Sequence, residues 1–257
     1  MAIGISTSCL YPQSPDASLE ALGAAGVRTC EIFLNSISET TAEYAKELNR
    51  IKDYYGMRVT SVHPFSSFAE STMFFSEYKK RFDDALDFYK RDFEVAASLG
   101  AKMVIIHGSR LPGKISHAEH FERFNKIYET GMEYGIMAAQ ENVNLFLSQS
   151  PDFLKEMRSA LGDNFKMVFD VKQAVRAGFD ALPFAEEFKN EIVHVHLSDH
   201  DSINDCLPPS KGNFPFSKLF DIMNSADYGG DYVIELYRHN FENIVSLTDS
   251  LAYLLDL

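Results

Sequence analysis

The sequence predicts a single (β/α)8 barrel, the TIM-barrel class, across residues 1–257. Three observations carry that expectation. Eight short β-rich runs alternate with longer amphipathic stretches from end to end, the pattern of parallel strands joined by helical crossovers. The length of 257 residues suits one such barrel. No G-x-G-x-x-G or P-loop follows the first run, which weakens the competing open, doubly wound sheet. No Pro- or Ser-rich linker interrupts the alternation, so no domain boundary is expected.

The first three strands are expected in IGISTS (3–8), TCEIFLN (29–35) and RVTSVH (58–63). KMVIIHG (102–108), GIMAAQENV (135–143) and FKMVFDV (165–171) follow, then IVHVHLSD (192–199) and YVIELY (232–237). Helical patterns lie between them, as in TAEYAKELNRIKDYY (41–55) and YKKRFDDALDFYKRDFEVAASL (78–99). The second repeats Phe82, Leu86, Tyr89, Phe93 and Ala96 at three-to-four spacing, which gives one buried face. Gly26, Gly56, Gly100 and Gly162 punctuate helix ends. The segment PFSSFAESTMFF (64–75) places four phenylalanines in an expected loop. It reads as a lid over a site, a subunit contact, or packing against its own barrel.

The bulk numbers narrow the function classes. A net charge of −13 repels phosphate backbones, so nucleic acid is not expected as a partner. No apolar run approaches the roughly 18 residues needed to span a bilayer, and the N-terminal MAIGISTSCLYPQ lacks a basic leader pattern. Cys9, Cys30 and Cys206 form no CxxC pair and read as reduced thiols. A cytoplasmic enzyme or binding protein is expected, with no membrane partner.

In a barrel of this kind, chemistry sits at the C-terminal ends of the strands. Strand two carries Glu31, strand three ends at His63 and strand four at His107. Strands five to eight end near Glu141, Asp170, His196 and Glu235. Alternation puts His194 and His196 on one face of strand seven, Val168 with Asp170 in strand six, and Val233 with Glu235 in strand eight. Carboxylates turned toward the barrel axis need a compensating cation or hydrogen bonds. Three carboxylates and one imidazole would suit Mn2+, Mg2+ or Co2+, and Zn2+ is also compatible.

These residues resemble the four metal ligands of the xylose-isomerase-like TIM barrel superfamily, which includes the sugar phosphate isomerase/epimerase family. Glu141 lies in QENV, Asp170 in VFDVKQA, His196 in HVHLSD and Glu235 in VIELY. The turn LPPSKGNFPFSKLF (207–220) is similar to the family's turn after strand seven. The resemblance implies a divalent metal held by Glu141, Asp170, His196 and Glu235. It also implies proton transfer by Glu141 and Glu235 through an enediolate of a sugar, sugar phosphate or related hydroxycarbonyl. His63, His107, Glu31, Gln173 and Arg238 are the expected substrate contacts. A small carbohydrate is the implied partner, and a homo-oligomer is compatible with the sequence.

Two departures matter. Gln173 stands where the family often places a histidine, and Ser210 stands where the turn has glycine. The segment SINDCLPPSKGN (202–213) has no histidine, which separates this chain from endonuclease IV within the same superfamily. An inosose-type dehydratase and a non-catalytic metabolite-binding barrel remain alternative readings. Plainer roles are also open. His194 reads as a core histidine, Asp199 as a loop cap or ligand-orienting group, and Glu31 as the partner of a nearby base. Lys172 and Lys211 read as solvated charges, or as contacts to a substrate anion.

Overall fold

Each expected apolar run contains a strand, and the eight strands close into a barrel in sequence order, every neighbouring pair parallel. The computed structural model describes residues 2–257. The strands are β1 (Ile3–Ser6), β2 (Thr29–Phe33), β3 (Arg58–His63), β4 (Met103–Ile106), β5 (Met137–Glu141), β6 (Met167–Asp170), β7 (Ile192–Leu197) and β8 (Asp231–Ile234). They are shorter than the apolar runs, so His107 and Glu235 fall one residue past β4 and β8. Both therefore start the loops at the barrel mouth.

Among the described residues, ten α-helices connect or flank the strands: α1 (Pro15–Ala24), α2 (Ala42–Tyr54), α3 (Glu70–Met73), α4 (Lys79–Leu99) and α5 (His117–Met132), then α6 (Pro151–Leu161), α7 (Val171–Arg176), α8 (Ala181–Phe188), α9 (Phe216–Asn224) and α10 (Ile244–Leu255). The face expected in 78–99 is realised in α4, where Phe82, Tyr89, Phe93 and Ala96 are buried. Gly100 ends that helix in the left-handed region (φ 74°), a conformation glycine adopts without a Cβ clash.

Most buried apolar side chains belong to one cluster. A second, small cluster of Met103, Ile105, Ala139 and Val168 comes from strands β4, β5 and β6. Val168 shares its strand face with Asp170, which is two residues nearer the strand's end. This apolar plug therefore lies beneath a polar layer. Closure of the barrel depends on Gly4 in β1, whose added Cβ would meet the Thr29 backbone oxygen at 2.5 Å.

The phenylalanine segment divides its work. Phe74 and Phe75 are fully buried, whereas Phe68 is 72% exposed. The segment folds as a 3-10 turn (Phe65–Ala69) followed by α3. Glu70 anchors it: its carboxyl oxygens accept hydrogen bonds from the Gly108 backbone N–H at 2.6 Å and the Tyr89 hydroxyl at 2.8 Å. Burial pushes the Glu70 carboxyl up to about 8.

Two consequences can be measured. Gly4→Ala should cost about 1–3 kcal/mol of stability in urea unfolding, because the new methyl meets backbone that cannot turn aside. Glu70 ionises more readily unfolded than folded, so its contribution is complete below its ordinary value of 4.5 and is lost as pH rises toward 8. Relative to Glu70→Gln, the wild-type chain should lose up to about 1.4 kcal/mol per pH unit between pH 5 and 8, levelling off above that range. Thermal melts across pH give this difference directly.

Candidate active site

Glu141 ends β5, Asp170 ends β6, His196 lies in β7, and Glu235 follows β8. Parallel pairing sets Asp170 beside His196 and His196 beside Val233. The four side chains therefore meet at one level of the barrel, and each offers a donor atom within 4.8 Å of the others. His196 Nδ1 lies 3.3 Å from Glu141 Oε1 and 3.5 Å from both Asp170 Oδ2 and Glu235 Oε2. The donor set fits a hard divalent cation: it is largely buried, rich in oxygen and supplies three carboxylates beside one imidazole nitrogen.

Glu31 lies on the other side of His196 and differs from the expectation of substrate contact. It is fully buried and does not line the cavity described below. Its carboxylate takes hydrogen bonds from Ser6 (3.0 Å) and Ser61 (2.7 Å), and its Oε2 lies 3.0 Å from His196 Nε2. That contact fixes the His196 ring and leaves Nδ1 aimed at the carboxylates. His194 is the expected core histidine: it has no exposure, and its Nε2 lies 3.3 Å from Ser61 Oγ.

His63 and His107 form a second group with Glu141. His107 Nε2 lies 2.9 Å from both Glu141 Oε2 and His63 Nε2. Asn142 braces the strand ends: its Oδ1 accepts from Asp170 N at 2.7 Å and its Nδ2 donates to Asp170 O at 3.0 Å.

Lys172, in the first turn of α7, overturns the reading as a solvated charge. It is 2% exposed, and its ammonium pairs directly with Asp170 Oδ2 and Glu235 Oε2. A lysine two residues after a strand-end aspartate was the one sequence signal for this placement, because the first turn beyond a strand borders the barrel mouth. Lys211 does not line the cavity.

The charges follow from this arrangement. Burial alone would raise Glu141, but His107, His196 and His63 hold it well below the usual carboxylate range. Burial likewise opposes the charge on Glu31, and His196 and His194 outweigh it. Glu235 is lowered because Lys172 and His196 overcome its burial. Asp170 is raised, with burial the largest cause. Burial works against charged His196 and Lys172, yet the surrounding carboxylates raise both well above their ordinary values. Burial lowers His107, whereas Glu141 overcomes the same effect at His63 and raises it.

Above this layer opens a cavity of about 550 Å³, within the range of small-molecule sites. Glu141 and Glu235 line it, as do His63, His107, Gln173 and Arg238; Asp170 and His196 do not. Tyr11, Phe33, Phe65, Phe68 and Tyr237 add aromatic walls that the sequence reading did not name as a set. Gln173 accepts from Asn144 N at 3.1 Å. Arg238 donates to the Phe241 and Glu242 carbonyl oxygens at 2.9 and 3.2 Å.

Asp199 caps the loop after β7, as expected. Its carboxylate accepts backbone hydrogen bonds from His200, Ser210, Gly212 and Phe214 at 2.8–3.1 Å. Ser210 holds φ 81°, in the left-handed region that favours glycine. The three cysteines are unpaired and buried, and no described helix is long and apolar enough to cross a membrane.

Comparison with known proteins places this architecture. An uncharacterised protein of Mycobacterium leprae is 22% identical over 98% of this chain and 95% of its own length. An uncharacterised protein of Methanocaldococcus jannaschii is 24% identical over 99% and 100%. Among solved structures, a D-tagatose 3-epimerase-like protein superposes with a TM-score of 0.82 at 23% identity, covering 100% of this chain and 96% of that one. A D-psicose 3-epimerase studied with D-fructose gives 0.78 at 14% identity, over 100% and 97%. The IOLI protein with a bound zinc gives 0.77 at 14% identity, over 100% and 96%. The xylose isomerase-like TIM barrel profile matches residues 19–257, and the chain belongs to that family.

Proposed function

We propose that this chain is a divalent-metal-dependent isomerase or epimerase of an unphosphorylated sugar or related hydroxycarbonyl. The observation that carries the proposal is the convergence of Glu141, Asp170, His196 and Glu235 on one another, with Glu141 and Glu235 opening into the cavity above them. These four residues would hold the metal, with Mn2+, Mg2+, Co2+ and Zn2+ all compatible with the donor set. The chemistry such a cation supplies when bound is Lewis-acid polarisation of a substrate carbonyl.

The protein's own residues divide the remaining work. Glu141 and Glu235 come from non-neighbouring strands, and they are the two members of the set that reach the cavity. Both are held ionised, so either can accept the acidic proton beside a carbonyl. Inversion of that carbon needs one glutamate to remove the proton as the ionised base and the other, having first taken up a proton from solvent, to deliver that proton to the opposite face. Return of the proton to the neighbouring carbon of the enediolate shifts the carbonyl instead. His107 and His63 flank Glu141 and can hold sugar hydroxyls in place. Gln173 adds an amide at the wall. The aromatic walls suit the C–H faces of a sugar ring or chain and exclude water from the proton.

The preference for an unphosphorylated substrate follows from the cations. Among the described lysines and arginines, Lys172 and Arg238 line the cavity. Lys172 is committed to two carboxylates and Arg238 to two backbone carbonyls. A phosphate would enter without a free cation and would face Glu141 and Glu235.

Incubation with a ketose panel in D2O, with metal content measured in parallel, tests the proposal. Deuterium should enter beside the carbonyl of a neutral ketose, and phosphorylated sugars should exchange far more slowly. Glu235→Gln should reduce exchange by about 10²–10⁴-fold. Loss of water from inosose without exchange would make the enzyme a lyase. Binding without any chemistry would make it a carrier.

A further inference from the structure

The metal centre already contains a cation. Lys172 Nζ pairs with Asp170 Oδ2 and Glu235 Oε2, the same two oxygens that face His196 Nδ1 at 3.5 Å. Its side chain is 3% exposed, and its backbone is fixed in the first turn of α7, where Asp170 caps the helix by accepting from Gln173 N. A divalent cation held by those two oxygens would draw on lone pairs that the ammonium already uses and would stand close beside it. Two positive charges at that separation would also repel strongly in a buried site.

We infer that Lys172 is a tethered counter-ion that keeps the metal-free centre assembled and competes with the metal for Asp170 and Glu235. The inference rests on the metal-centre reading above. Without a cation, Asp170, Glu141, Glu235 and Glu31 would crowd four carboxyl groups around one imidazole, and their mutual repulsion would work to drive the strand ends apart. Lys172 relieves that repulsion from within the chain. Metal entry then works against the charge of that ammonium, which the Tyr237 ring 5.7 Å from Nζ also helps to hold in place. The centre's affinity for metal is therefore lower than the four ligands alone would provide.

Titration calorimetry with Mn2+ on the EDTA-stripped full chain, paired with thermal melts, tests this without reference to turnover. Lys172→Met should bind Mn2+ about 10- to 100-fold more tightly than wild type. Its metal-free form should melt on the order of 5 °C lower, and Mn2+ should restore more stability to it than to wild type. Lys172→Arg keeps the charge and should show no tightening. If Lys172→Met folds only when Mn2+ is present, the inference is supported in its strongest form.

Equal or weaker Mn2+ binding by Lys172→Met overturns the inference and leaves the metal-centre reading standing. Equal tightening in Lys172→Arg also overturns it, because repacking rather than charge would then be responsible. If neither wild type nor Lys172→Met binds Mn2+, Co2+ or Zn2+, the metal-centre reading falls as well.

Discussion

Four carboxylates, Glu31, Glu141, Asp170 and Glu235, are buried around one imidazole, and much of the barrel's upper half serves to make that arrangement tolerable. An ionised carboxylate removed from water costs several kcal/mol unless charges and hydrogen bonds replace its hydration. Here the replacement comes from every direction. His196 stands between Glu31 on one side and the other three on the opposite side. His63 and His107 meet Glu141 from the end of β3 and from just past β4, respectively. Lys172 meets Asp170 and Glu235 from the helix that follows β6. The apolar plug of Met103, Ile105, Ala139 and Val168 seals the floor and keeps the surroundings poor in water.

This balance links the fold to its chemistry. The same crowding that needs a cation also holds Glu141 and Glu235 ionised at the cavity wall, which is the state a base requires. Residues outside the cavity contribute by placement. Glu31, Ser6 and Ser61 set the ring of His196, and Asn142 clamps the backbone of Asp170. Glu70 ties the segment carrying Phe65 and Phe68 to the backbone next to His107, so the aromatic wall and the histidine share one anchor. Asp199 gathers four backbone N–H groups and fixes the loop after β7.

The legible part of the site was the part written at strand ends. Period-two alternation fixes which residues of a strand share a face, and in a parallel barrel the strand ends lie together. Glu141, Asp170, His196 and Glu235 could therefore be gathered from four distant stretches without coordinates. Glu31 obeyed the same alternation but stops short of the cavity, because side chains at different heights along a strand occupy different layers of the barrel. Half of the phenylalanine segment was packing and half was wall, a division that composition does not encode.

The sequence by itself determined the barrel, its strand order and the residue types available at its mouth, because hydrophobic periodicity and connection length are local properties of the chain. The tertiary structure decided who compensates whom. Lys172 is an ordinary lysine on a short helix until the closed barrel brings Glu235 from the last strand against it. Ion pairing inside a protein depends on distances between segments far apart in sequence and on the water excluded around them, and neither quantity exists before the chain has folded.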